Sequence, residues 1–147
     1  MSIDRSVYNI AVASVRRHSM DSDEWKYTVV GCSHARITGN FKLESEELVI
    51  ASGYISDRNW WVVTTRRIAS LHNSKYSELD PRNGIKSRFG HFKSTANGGL
   101  ETAEISTNKG DQSLQFVFET GKASMAPIYA CIFWSRAVGF HYPKKSA

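Results

Sequence analysis

The 147-residue sequence predicts an α+β fold, a curled antiparallel sheet or partly open barrel of short strands closed by one amphipathic C-terminal helix. Three observations carry that expectation. Short runs of branched and aromatic residues recur between Gly, Asn, Asp and Pro turn signals through most of the chain. The stretch "NWWVVTTRRIASL" at 59–71 reads as strand, polar turn and strand. Near the end, "SMAPIYACIFWSR" places Met125, Ile128, Tyr129, Ile132 and Phe133 at helical spacing, an apolar stripe broad enough to cover a sheet.

The opening segment "IDRSVYNIAVASVRR" puts Ile3, Val7, Ile10, Ala11 and Val15 on one helical face, with Ser2 or Asp4 placed to cap it. Alternation of Tyr8, Ile10 and Val12 makes a strand the rival. An acidic loop leads into a β-rich run from Trp25 to Val30, closed by Gly31, and a second β-like piece over Ala35 to Thr38 stops at Gly39-Asn40. Ser45 followed by Glu46 and Glu47 has the chemistry of a helix start, because acids suit the positive end of the helix dipole. The alternative there is direct passage into a strand through Leu48-Val49-Ile50.

Adjacent residues in a strand point to opposite faces, so one of Trp60 and Trp61 is expected in the core and at most one can be an exposed platform. Asp80-Pro81, Asn83-Gly84 and Asn97-Gly98-Gly99 are turns, with a strand candidate over Ile85 to Phe92. "LETAEIST" and "QSLQFVFET" form a hairpin across Asn108-Lys109-Gly110-Asp111, with Leu114, Phe116 and Phe118 on the buried face. Ser124 is the expected N-cap of the last helix, Pro127 falls in its first turn, Gly139 stops it, and the tail "HYPKKSA" is solvated.

At this length and 41% hydrophobic content the chain reads as one domain over 1–147, with residues 1–43 an N-terminal extension packed on it. No apolar run reaches the roughly 18–20 residues of a membrane span, and a cytoplasmic location is expected. Cys32 and Cys131 are read as free, buried thiols. Charge is unevenly spread: residues 58–93 carry eight basic side chains against Glu78 and Asp80, while the flanking segments nearly balance. Such a concentration attracts anionic partners, and solvated loop charges are the competing explanation.

Reaction chemistry is not written in the sequence. Cys32-x-His34 lacks a complementary ligand pair, the glycines form no phosphate-cradling loop, and Glu46-Glu47 are explained by a helix start. No cofactor, metal or catalytic residue is therefore expected. "NWWVVTTRR" and "KSRFGHFK" interleave aromatics with cations, which suits single-stranded nucleic acid.

The unit "WVVTTRRIASL", with Thr64 to Arg67 in its turn, together with the hairpin "LETAEISTNKGDQSLQFVFET" and the helix "ASMAPIYACIFWSR", resembles the bacterial pleckstrin-homology-like (PH/GRAM-like) domains over about residues 44–137. That resemblance implies a binding module rather than an enzyme. The leading expectation is a non-catalytic protein-binding domain, such as a stand-alone bacterial immunity protein that neutralises a toxin by direct binding. A basic chain suits a partner with an acidic surface. The alternative is single-stranded nucleic acid or anionic lipid bound through 58–93. The candidate contacts are Arg58, Trp61, Arg66, Arg67, Lys86, Arg88 and Lys93.

Overall fold

The structure is a computed structural model, and it describes residues 2–19, 25–37, 41–93 and 99–136. Helix α1 (Ile3–His18) begins as its sequence suggests: the Ser2 hydroxyl accepts the Arg5 N–H at 3.1 Å, Asp4 lies in the first turn, and Arg16, Arg17 and His18 in the last. Its inward face is Val7, Ala11, Val12 and Val15, while Ile10 faces solvent. Helical phase decides this, since Val7, Ala11 and Val15 lie at i, i+4 and i+8 and leave Ile10 on the far side.

Five strands form the larger antiparallel sheet in the order β1 (Thr28–Val30), β2 (Val49–Ser56), β3 (Asn59–Thr64), β4 (Ile68–His72) and β5 (Lys75–Leu79). β1 covers only the end of the run expected from Trp25. Ala35 to Ile37 form a turn and not a strand, and Thr38, Gly39 and Asn40 lie outside the described residues. Ser45-Glu46 is also a turn. Glu46 has a φ of 70°, which ends any helix there, and the chain passes into β2 as the alternative had it.

Strand β5 has no counterpart among the expected elements. A two-residue loop, Asn73-Ser74, with φ of 49° and 71°, turns β4 straight back into it. A smaller sheet follows, β6 (Ile85–Arg88), β7 (Leu100–Thr107) and β8 (Ser113–Glu119), antiparallel throughout. β6 stops short of the expected Phe92, and of the turn Asn97-Gly98-Gly99 only Gly99 is among the described residues. Leu114, Phe116 and Phe118 are buried, as their alternation requires. The two sheets pack face to face without closing into a barrel, β8 lying against β2, β3, β4 and β5.

Helix α2 (Met125–Arg136) closes the core and packs on α1, β2 and β6. Its period matches the expectation, but its phase does not. Ala126, Pro127, Ala130, Cys131, Phe133 and Trp134 are buried, whereas Met125, Ile128, Tyr129 and Ile132 are half-buried. The helix is apolar nearly all round, so its small alanines can take the inner face, and the His18 ring stacks on Tyr129 at 3.8 Å. Ser124 caps nothing: it ends a 3-10 turn (Gly121–Ser124) and donates its hydroxyl to the Gly121 carbonyl at 2.5 Å. Gly139 and the tail lie outside the described residues.

Both tryptophans are buried, on opposite faces of β3. Trp61 enters the main core against Phe116, with ring centroids 5.3 Å apart. Trp60 joins a second cluster with Ile37, Phe41, Val49, Val62 and Ala69, because Ile37 and Phe41 cover the sheet's other face. The exposed platform considered for one of them is absent, and Trp61 as a partner contact is corrected to a core residue. Its indole lies against Gly53, the Cα partner of Trp61 on β2. A Cβ at Gly53 would stand 2.2 Å from Trp61 Nε1. Gly53→Ala is expected to lower unfolding stability by about 1–3 kcal/mol in urea titration, through overpacking against a ring that has no room to retreat.

Candidate functional site

The turn between β3 and β4 is built from its threonines. Thr64 Oγ1 accepts the N–H of Arg66 and of Arg67, each at 3.0 Å, and donates to Glu47 Oε2 at 2.5 Å. Thr65 Oγ1 donates to Asp4 Oδ1 at 2.7 Å and accepts the Leu48 N–H at 3.1 Å. The hydroxyls thus hold the two carboxylates that the arginines then grip.

Arg66 reaches both Asp4 oxygens from Nε and Nη2 at 3.0 Å, and Glu44 from Nη1 at 2.9 Å. Arg67 reaches both Glu47 oxygens at 3.0 Å, the Glu78 carboxylate at 3.0 Å and the Lys42 carbonyl at 2.6 Å, with its guanidinium 4.3 Å over the Phe41 ring. The Asp4 side chain is 3% exposed and the Glu47 side chain 0%, against 47% for Glu44 and Glu78. Burial alone would push the Asp4 carboxyl up. Hydrogen bonds from Arg66 and Thr65, with the guanidinium's charge, outweigh that and hold it below its ordinary value. The same ties raise Arg66. A cleft of about 280 Å³ beside this network is lined by Arg66, Arg67 and Arg82 but also by Asp4, Glu44, Glu78 and Asp80, so its charge is matched internally. Arg82 pairs with Asp80 at 2.6 Å.

A second, larger cleft of about 620 Å³ opens between the outer face of the small sheet and the β4–β5 hairpin. Register places its floor in two cross-strand rows, Lys86, Ser106, Ser113 and Arg88, Glu104, Gln115. His72, Lys75 and Ser77 form the wall, with His72 and Lys75 paired across the hairpin. Lys75, Lys86 and Arg88 are exposed, and among the described residues none is in an ion pair. Glu104, the one carboxylate of the lining among the described residues, accepts a hydrogen bond from Gln115 Nε2 at 3.1 Å. The Nδ1 of His72 is buried without a hydrogen-bond partner. This wall and floor can hold carboxylate or other anionic groups.

Of the residues singled out from sequence, Lys86 and Arg88 come together in this cleft. Arg66 and Arg67 do not; they are engaged by carboxylates of their own chain. Arg58 sits at the β2–β3 turn, where its Nε donates to Ser74 at 2.9 Å, and Lys93 follows Phe92 at an exposed position; neither lines the cleft. Lys75 belonged to the basic segment, but His72 and Ser77 carried no signal until the hairpin brought them to the cleft.

Of the two thiols, Cys131 is buried and its pKa pushed up to about 12 by desolvation, while Cys32 is exposed, which corrects the expectation of burial. His34 stacks on Tyr54 and accepts the Arg36 N–H at its Nδ1. Among the described residues no group of three or more His, Cys, Asp or Glu is placed to hold a metal ion, and no helix is long and apolar enough to cross a membrane. No family model, curated protein or solved structure matches the chain.

Two outcomes follow from the network. Glu47→Ala leaves the half-buried Arg67 with only the exposed Glu78 carboxylate and the Lys42 carbonyl, takes the acceptor from the Thr64 hydroxyl, and is expected to cost about 3 kcal/mol, whereas Glu44→Ala, at an exposed pair, costs about 1 kcal/mol or less by chemical denaturation. Asp4, depressed in the folded state, contributes stability that is full above its ordinary value of 3.8 and is lost as pH falls through the lower folded value. The urea midpoint of Asp4→Asn should therefore vary less with pH below about 4 than that of the parent.

Proposed function

We propose that this chain is a non-catalytic protein-binding domain of pleckstrin-homology-like type, which holds an acidic protein surface in the cleft between its two sheets. One observation carries the proposal: of the eight basic residues in 58–93, Arg66, Arg67 and Arg82 are neutralised by internal carboxylates, Arg58 and Lys93 lie elsewhere, and Lys75, Lys86 and Arg88 converge on the cleft with no ion pair among the described residues. Unpaired cations gathered on one concave wall steer an anionic partner and keep their hydration until it arrives. Burial of Trp60 and Trp61 takes away the stacking platform that favoured single-stranded nucleic acid. A cytoplasmic partner of a bacterial toxin, acting by occlusion as an immunity protein does, is the biological form that we favour.

Affinity capture from the source cell tests this. The parent should recover one stoichiometric acidic protein, in a complex that weakens as salt rises, and Lys86→Glu with Arg88→Glu should weaken it at least about tenfold with the fold intact by circular dichroism. Undiminished capture by the double variant would remove the cleft from the binding role.

A further inference from the structure

We infer that the acidic partner presents an extended segment, which adds to the free edge of β5 as a sixth strand of the larger sheet and sends its carboxylates into the cleft; this rests on the binding role proposed above. β5 ends the sheet on one side. It pairs with β4 and, among the described residues, with no other strand. The two-residue loop makes His72 and Lys75 the closing hydrogen-bonded pair, so by the period of two Ser77 and Leu79 also bond back to β4. The N–H and C=O of Tyr76 and Glu78 then point away from the sheet, the template to which an incoming strand pairs.

The two faces of this edge differ in chemistry. On the cleft side stand Lys75 and Ser77, with Lys86 and Arg88 across the groove. On the other side Tyr76, 45% exposed, offers its ring, and Glu78, already engaged by Arg67 and by the Tyr76 hydroxyl at 2.6 Å, repels acids. A strand that alternates acidic and apolar residues satisfies both faces at once: carboxylates toward the cations, apolar side chains toward Tyr76. A second copy of the chain would bring its own Lys75, Lys86 and Arg88 to the same groove, so like charge opposes edge-to-edge pairing.

The test uses a fluorescent synthetic peptide alternating glutamate with valine, its analogues N-methylated on alternate amides in either frame, and an oligothymidylate. Anisotropy titration of the full chain should show binding of the unmodified peptide. N-methylation in the frame that faces β5, and the Lys86→Glu, Arg88→Glu variant, should each weaken it at least about tenfold. Amide exchange at Tyr76 and Glu78 should slow in the complex. Equal binding of both N-methylated analogues, or unchanged exchange at Tyr76 and Glu78, would overturn strand addition. If the charge-reversed variant still loses affinity in that case, the cleft keeps its role and only the mode of docking fails. Absence of peptide binding, or tighter binding of the oligothymidylate, would overturn the acidic-strand partner itself.

Discussion

Two carboxylates with almost no access to water, Asp4 and Glu47, decide where much of this chain can go. A buried carboxylate that stays ionised needs partners that replace its hydration, and a short turn supplies them in order: Thr65 and Arg66 for Asp4, Thr64 and Arg67 for Glu47. The carboxylates come from α1 and from the loop before β2, and Arg67 adds Glu78 from β5. Trp134 of α2 donates its indole N–H to the Thr64 carbonyl at 3.2 Å. Four segments far apart in sequence are therefore located by one four-residue turn. Each arginine serves two carboxylates, so its fork geometry sets angles as well as attraction.

That arrangement also sorts the protein's charge. Asp4, Glu44, Glu78 and Asp80 lie at one end of the β4–β5 hairpin, where they meet Arg66, Arg67 and Arg82. The opposite end holds, among the described residues, lysines, a histidine and Arg88 around a single carboxylate. Neutral and basic regions thus sit on the same two strands, a few residues apart. The hairpin is at once the cover of an ion-paired core and the rim of a basic cleft.

How much of this could be read beforehand depended on whether the pattern was local. The β7–β8 hairpin was legible because one face meets solvent, which writes alternation into Leu114, Phe116 and Phe118. α1 was legible through its cap. α2 showed its period but hid its phase, because a helix apolar on nearly all sides does not mark which side is inner. β5, "KYSEL", is an edge strand with one buried residue, so no apolar period announced it. The site was legible in the same measure. Lys86 and Arg88 declared themselves by charge, but the fate of Arg66 and Arg67 depended on carboxylates 20 and 62 positions away. Trp61 was misjudged because β3 is covered on both faces and adjacent tryptophans do not mark which face is the main core: Trp61 meets Phe116 of the small sheet, while Ile37, Phe41 and Val49, which lack a strong pattern, cover Trp60.

A smaller contact bears on how the chain is made. Glu119, at the end of β8 and buried, accepts the N–H groups of Lys26 and Tyr27 at 2.9 and 3.0 Å and the Thr28 hydroxyl at 3.0 Å. These bonds join residues 91 to 93 apart, and they fasten the start of β1 to the last strand. During synthesis the start of β1 emerges from the ribosome with its polar backbone unanswered and waits for most of the remaining chain before its clasp exists. α1 waits in the same way for Arg66. The side chains that fasten the N-terminal third, Arg66 on α1 and Glu119 on the start of β1, are therefore translated well after the groups they hold.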